Sequence, residues 1–388
     1  MDRHTEKMRG NSRMMENASE NILFPLLKSA LWGAEPDENR LRGATPAMWR
    51  QAAAIASVHG VTPLAYDGMS MLPENLLVPK DIKLAWALKT ENAELKFRGQ
   101  AEAAAHLAAF FASAGIRTVI LKGFSLARCY PVPDHRECGD IDVWLCGDYA
   151  KGNGTISSAG MKVEVHTAKH SSFTFENTTV ENHLTFLDTD RYSMGRILEP
   201  ILSEIAERDG IVPMNLPGQN LPCRIHAPSA DFEALFVMAH SAAHFAGRVR
   251  LRHICDWARF LYAHAGKIDF ACLESALEKA HLSRFAGIFT FIAVHYLGLG
   301  REYTGGLLRH VNGNDMRIAE RIMHDIAGQA FAKTLEGKSS AGILALKTSR
   351  FFREHWRFRL VYGCSMPLRI LYFIKDHIKH PETILKPI

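Results

Sequence analysis

The spacing of apolar residues changes period twice along the chain, and those changes divide it. Up to residue 115 the period is helical. Thr45-Pro46 reads as an N-cap with proline at the first helical position, opening AMWRQAAAIASVHG, and Gly60 closes that helix. From Pro79 to Ala114 a stretch rich in Ala, Leu, Glu and Lys predicts one long helix, or two with a break near Gly99. At Ile116 the pattern becomes that of a strand. IRTVILKG is a short β-branched run ended by Gly123, FSLARCY is a short helix stopped by Pro131, and the loop PVPDHRECG leads into GDIDVWL, residues 139–145. A crossover helix is expected in DYAKGNGTISSAG, but Gly152, Asn153 and Gly154 weaken it. Three further strands are predicted: MKVEVH, SSFTF and TTVENHLTF, the last two joined by a Glu-Asn turn. From about Asp190 helical spacing returns, as in DFEALFVMAHSAAHFAG and ICDWARFLYAHAG, and GKSSAG near Ser339 reads as a linker.

These elements predict an α+β fold: a small mixed-sheet core flanked by N-terminal and C-terminal helical regions. The expected divisions are a disordered segment over 1–18, a helical region over 19–115 and the α/β core over 116–190. A helical domain over 191–340 and a basic aromatic helical tail over 341–388 complete the chain. No repeat of fixed period is visible.

Composition narrows the class. The 388 residues are 47% hydrophobic and 22% charged, enough apolar material for two or three packed domains and unlike a disordered tail or a fibre. The formal net charge of +5, counting 19 histidines as neutral, suits an anionic ligand without singling out nucleic acid. Seven scattered cysteines, none in a Cys-x-x-Cys spacing, argue against a disulfide framework or a zinc ribbon and fit the reducing cytoplasm. The charged N-terminus lacks the apolar stretch of a secretory leader, and the longest apolar run, from Phe285, is shorter than a bilayer span.

The stretch GDIDVWL carries the chemistry. Alternation along a strand turns Ile141, Val143 and Leu145 to one face and Asp140 and Asp142 to the other, their Cα atoms about 6.5 to 7 Å apart. Carboxylates that close repel one another unless donors, water or a cation lies between them, and a cation is the strongest solution. Two-metal phosphoryl chemistry needs a third carboxylate, and two strand positions offer one: Glu164 in VEV and Glu181 in VENH, which shares its face with His183. Periodicity does not choose between them. Upstream, Gly123 permits close approach of the backbone to a phosphate, and Lys122 and Arg136 bracket the loop before Asp140 with positive charge.

The order Leu-Lys-Gly, then Arg136, then Asp-Ile-Asp resembles the nucleotidyltransferase superfamily that includes DNA polymerase β and kanamycin nucleotidyltransferase. More closely it is similar to the uncharacterised bacterial nucleotidyltransferase family with that signature, over roughly residues 45 to 262, through AIASVHGVTPLAY, KHSSFTF, VENH, MAHSAAH and RLRHICDWARFL. The resemblance implies transfer of a nucleoside monophosphate from an NTP, ATP foremost, to a hydroxyl acceptor with release of pyrophosphate. It implies Mg²⁺ or Mn²⁺ on Asp140, Asp142 and Glu181, with Glu164 the second choice for the third carboxylate. Lys122, Gly123, Ser125 and Arg136 would face the triphosphate, and His183 would orient a ligand or the acceptor. Where the superfamily has Gly-Ser or Gly-Gly this chain has Gly-Phe, with Ser125 one place later. The acceptor is a small molecule, a protein or an RNA end. A reading of another class is a catalytically silent module that binds nucleotide or a partner chain, as in toxin neutralisation.

Two further features have competing readings. His240 and His244, four apart on a helix, can share a metal, but no Glu follows the first His as in the zinc proteases, and packed or hydrogen-bonded histidines are commoner. By the resemblance these helices wall the nucleotide cleft, with Arg250, Arg252 and Asp256 contributing. In the tail, Arg353, Arg357 and Arg359 alternate with Phe351, Phe352, Trp356 and Phe358, which suits RNA stacking, a membrane surface or, the favoured expectation, an amphipathic helix with its aromatics packed and its arginines solvated.

Overall fold

In a computed structural model, the chain is described over residues 18–379, apart from 75, 77, 166–168, 191, 217–224, 248–249 and 330–339. The expectations for the extreme N-terminus and for the first half of GKSSAG fall outside those residues, and from Ser340 the expected linker is helix. The N-terminal helices are α1 (Phe24–Trp32), α2 (Glu38–Leu41), α3 (Pro46–His59), α4 (Thr62–Ser70) and α5 (Lys80–Ser113). The α3 signals hold: the Thr45 side chain accepts from the Met48 amide at 3.3 Å, and Gly60 ends the helix in the left-handed region at φ 65°. Of the alternatives for 79–114, one unbroken helix of 34 residues forms, with Gly99 inside it.

The sheet has seven strands: β1 (Val119–Ile120), β2 (Ile141–Trp144), β3 (Glu164–Val165), β4 (His170–Phe175), β5 (Thr178–His183), β6 (Ile211–Met214) and β7 (Ile225–Pro228). Their order is β3-β4-β5-β2-β1-β7-β6. β2 runs parallel to β5 and β1 parallel to β7, and the remaining pairs are antiparallel, so the sheet is mixed and the fold is α+β as expected. Periodicity revealed five of the seven. The other two, β6 and β7, are four residues each and contain Pro213 and Pro228, which cannot donate to a ladder and so hide the strand signal.

Ile141, Val143 and Leu145 enter a core with Phe173, Val180 and the second half of α5, as strand alternation requires. The opposite face of β2 and β5 meets the C-terminal helices. These are α8 (Ser193–Asp209), α9 (Ala230–Gly247), α10 (Leu251–His264), α11 (Phe270–Lys279), α12 (Ser283–Leu297) and α13 (Gly313–Gln329). A larger second core joins these helices to α1, α3 and α4.

The crossover segment forms a full helix, α7 (Tyr149–Ser158), between the short helix α6 (Phe124–Ala127) and β3. One of the residues that weaken it in isolation, Gly152, is what lets it dock. A Cβ on Gly152 would sit 2.1 Å from Leu145 Cδ1. Asn153 Oδ1 accepts from Asn182 Nδ2 at 2.9 Å and from the Ser171 hydroxyl at 2.8 Å, tying α7 to β5 and β4. Tertiary contacts thus outweigh poor helix propensity.

The tail folds as α14 (Ser340–Arg353), α15 (His355–Tyr362) and α16 (Met366–Lys379). Most of its aromatics pack, as favoured, with Phe358 buried and Tyr362 stacked on Tyr192 at 4.1 Å, but Phe352 stays exposed. Not all its cations are solvated, which corrects that part of the expectation. Arg357 is buried on Asp325 at 2.7 Å, and the guanidinium of buried Arg369 lies 4.1 Å from the Phe351 ring centroid. Stacking and pairing replace the water these cations give up.

The loop before β2 is held by an ion cluster. His135 Nδ1 lies 2.8 Å from Asp67 and its Nε2 2.9 Å from Glu94. Burial alone would lower the imidazole, but the two carboxylates raise it to about 9. Because the folded value exceeds the unfolded one, the contribution is fully present below about pH 6.5 and is lost as pH rises through about 9. Wild type is expected to lose on the order of 2 kcal/mol over that window through this group. Thermal unfolding at pH 6.5 and 9.5 checks this: His135→Gln should show a correspondingly smaller drop.

Candidate active site

β2 and β5 build the site through their register. Asp142 pairs with Glu181 across the parallel ladder, and His183, two residues beyond Glu181, projects from the same face. Donor atoms of Asp142, Glu181 and His183 all lie within 4.8 Å of one another. Asp142 is buried, and its Oδ1 receives Lys122 Nζ at 3.0 Å and His183 Nε2 at 2.9 Å. His183 Nδ1 lies 3.2 Å from the Thr185 carbonyl. As the site stands, the ring proton sits on Nε2 and is donated to Asp142; moving it to Nδ1, against the Thr185 carbonyl, would free the Nε2 lone pair for a cation.

The remaining sequence candidates scatter around this centre. Gly123, at φ 67° and ψ −101°, starts α6 in a conformation that favours glycine and brings the backbone to the cavity wall. Asp140 lines the same cavity one residue before β2, half-buried, and is not in the converging donor set. Glu164 lies on the exposed edge strand, with β4 and β5 between it and β2. Ser125 is wholly buried in α6 and does not line the cavity. Arg136 is also buried, in a two-pronged pair with Asp256: Nε to Oδ1 at 2.8 Å and Nη2 to Oδ2 at 2.9 Å, with the Tyr130 hydroxyl donating to Oδ1 at 2.7 Å. Its guanidinium is engaged with α10.

A cavity of about 300 Å³ separates the sheet from α9 and α10. Lys122, Gly123, Asp140 and Asp142 form its sheet side. The helix side carries His240, His244 and His253 with Arg250 and Arg252, so the histidine helix does wall the cleft beside Asp142. Glu181 adjoins Asp142 outside that lining.

A family described as uncharacterised nucleotidyltransferase matches residues 45–298, about two thirds of the chain, which contain the sheet, the cavity and both walls. The chain belongs to that family. No curated protein and no solved structure matches it. Membership supports nucleotidyl transfer as the general role, with an NTP as the implied substrate. Among the described residues no helix is long and apolar enough to cross a membrane.

The charge balance of the site is uneven. Burial would raise Asp142, but Lys122 and His183 outweigh it and hold the carboxyl well below the usual carboxylate range. Glu181 is the opposite case. Burial and then the charges of Asp142 and Asp140 push it up to about 7, with Lys122 and Lys169 opposing. Lys169 is itself lowered, first by burial and then by Lys122. His183 is lowered by burial despite Asp142, so it is a neutral imidazole near pH 7.

Lys169 and His170, whose Nε2 lies 3.5 Å from Glu181 Oε1, belong to the site although pattern reading passed over them. The available signal was their place at the start of β4, opposite His183 in the ladder.

The donor set fits a divalent cation. Two carboxylates in register, one of them short of positive charge, and an imidazole whose far nitrogen meets a carbonyl suit Mg²⁺ or, with its tolerance of imidazole, Mn²⁺. Glu181 is protonated more readily folded than unfolded. It therefore favours folding below about pH 4.5, and that benefit is lost as pH rises through about 7. Without added metal, Glu181→Gln is expected to be more stable than wild type at pH 8, by on the order of 2 kcal/mol, and equal to it at pH 4. Adding Mn²⁺ should raise the melting temperature of wild type and leave the variant nearly unmoved. Equal stabilisation of both would remove Glu181 from the metal set.

Proposed function

We propose that this chain transfers a nucleoside monophosphate from an NTP, ATP foremost, to a hydroxyl acceptor. The single observation that carries the reading is the alignment of Asp142 with Glu181 across the parallel strands, beside Lys122 and the left-handed Gly123 turn. The acceptor oxygen bonds to the α-phosphorus as the bridge to the β-phosphate breaks, and pyrophosphate leaves. Asp142, Glu181 and Nε2 of His183 would hold the divalent ion, which when bound neutralises phosphate charge and acidifies the acceptor hydroxyl.

The side chains supply the rest. Lys122 shifts from Asp142 toward the triphosphate oxygens, and the Gly123 turn admits a phosphate close to the backbone. With the ion bound, His183 would carry its proton on Nδ1, donated to the Thr185 carbonyl, and so hold its ring in place. Glu181 can take the acceptor's proton at Oε1, beside His170. Asp140 sets the field at the cavity wall, and Arg136 holds the loop in place through Asp256.

The test is incubation with labelled ATP, CTP, GTP or UTP and Mg²⁺ or Mn²⁺, candidate acceptors being small molecules, proteins and RNA ends. Pyrophosphate release or label transfer that disappears in Asp142→Asn supports the enzyme. Metal-dependent nucleotide binding with no turnover would replace this reading with the silent nucleotide-binding module.

A further inference from the structure

Three histidines face one another on the helix side of the cavity. His240 and His244 lie one turn apart on α9, on a single face, and His253 comes from the first turn of α10. One ring nitrogen of each lies within 4.8 Å of those of the other two. Ring centroids are 4.4 Å apart for His240 and His244, 4.9 Å for His244 and His253, and 6.0 Å for His240 and His253. His244 is exposed, His240 half-buried and His253 buried. Nδ1 of His253 is sealed from solvent without a hydrogen-bond partner among the described residues. Leaving such an atom unsatisfied costs about 1 to 3 kcal/mol, which core packing of the ring does not explain.

We propose that His240, His244 and His253 bind a first-row transition-metal dication of the zinc type, at a site distinct from the Asp142 carboxylates. Three imidazoles form a donor set that selects Zn²⁺, Co²⁺, Ni²⁺ or Cu²⁺ over Mg²⁺. Three protein ligands also leave a fourth position open. Nitrogens about 2.0 to 2.1 Å from a tetrahedral ion stand roughly 3.4 Å from one another, so the set tightens on binding. Exposed His244 is the side chain free to turn inward, while His253 is fixed in the helix packing.

The surroundings decide what fills the fourth position. Lys122, Arg136, Arg250 and Arg252 line the same cavity, and Arg136 is matched by Asp256 of the helix wall. With neutral imidazoles as its ligands, the ion keeps its full charge among these cations. An anion in the fourth position offsets that charge, and a phosphate oxygen in the cavity supplies one.

The proposal does not rest on nucleotidyl transfer, because its readout is metal uptake. Full-length protein is titrated with Co²⁺ in the presence of inorganic phosphate, and binding is followed by visible absorption and by metal content after desalting. Wild type should take up one Co²⁺ per chain at this site, with the intense band of four- or five-coordination. His244→Ala, an exposed change that spares the fold, should weaken uptake at least tenfold, and His253→Ala should do the same if it folds. Asp142→Asn combined with Glu181→Gln should leave the band in place. Absence of the band in wild type, its persistence in His244→Ala, or its loss only in the carboxylate variant would each overturn the assignment.

Discussion

Asp142→Asn is expected to reduce nucleotidyl transfer about a thousandfold or more, equivalent to about 4 kcal/mol of transition-state stabilisation. The substitution keeps the shape of the side chain and an oxygen that can still accept from Lys122 or His183. What it removes is the negative charge held between them and aligned with Glu181. The same change should lower the Glu181 pKa from about 7, since the charge of Asp142 is one cause of its elevation. Pyrophosphate release at saturating NTP checks the first effect, and the pH midpoint of unfolding stability checks the second. Glu164→Gln is the control. On its exposed edge strand it should leave turnover unchanged, and a loss equal to that of Asp142→Asn would move the third carboxylate to Glu164.

The second large effect concerns folding. Arg136→Met should destabilise the protein by roughly 3 to 5 kcal/mol, because it strands the Asp256 carboxylate in the interior with only the Tyr130 hydroxyl for company. Asp256→Asn keeps an acceptor for Tyr130 yet leaves the guanidinium unmatched, so it should fall in the same range. Replacing both partners with apolar residues removes the stranded charge, and the double variant should recover more than half of the single-site loss. Denaturant unfolding measures all three. Additive losses would mean that the two side chains do not act as a pair.

What could be read from the linear chain was what depends on neighbours in sequence. The alternation of Ile141, Val143 and Leu145 with Asp142, the glycine bend at 123 and the cap at Thr45 are local, and each has its counterpart in the fold. Strand-to-strand register is not local, so the linear chain leaves Glu164 and Glu181 equivalent, and the ladder sets Glu181 opposite Asp142. The same limit explains the partner of Arg136. Nothing in the loop sequence indicates that Asp256, 120 positions on, captures the side chain. Helix α7 failed the propensity test because its Gly152 and Asn153 answer to Leu145 and Asn182, residues outside the helix. The linear pattern pairs His240 with His244 and misses His253, because His253 belongs to the next helix and not to the same helical face.

The long helix α5 reaches from the N-terminal bundle to the sheet, and three backbone carbonyls ahead of Asp140 are already committed. Lys96 donates to that of Cys138 at 3.1 Å, Gln100 to that of Gly139 at 2.7 Å, and Arg252 to that of Glu137 at 2.8 Å. An anion arriving from solvent consequently meets a finished wall, and little ordering entropy is left to be lost there on binding. Any adjustment to a ligand falls instead to the opposite bank, where His244 stands exposed in the last turn of α9.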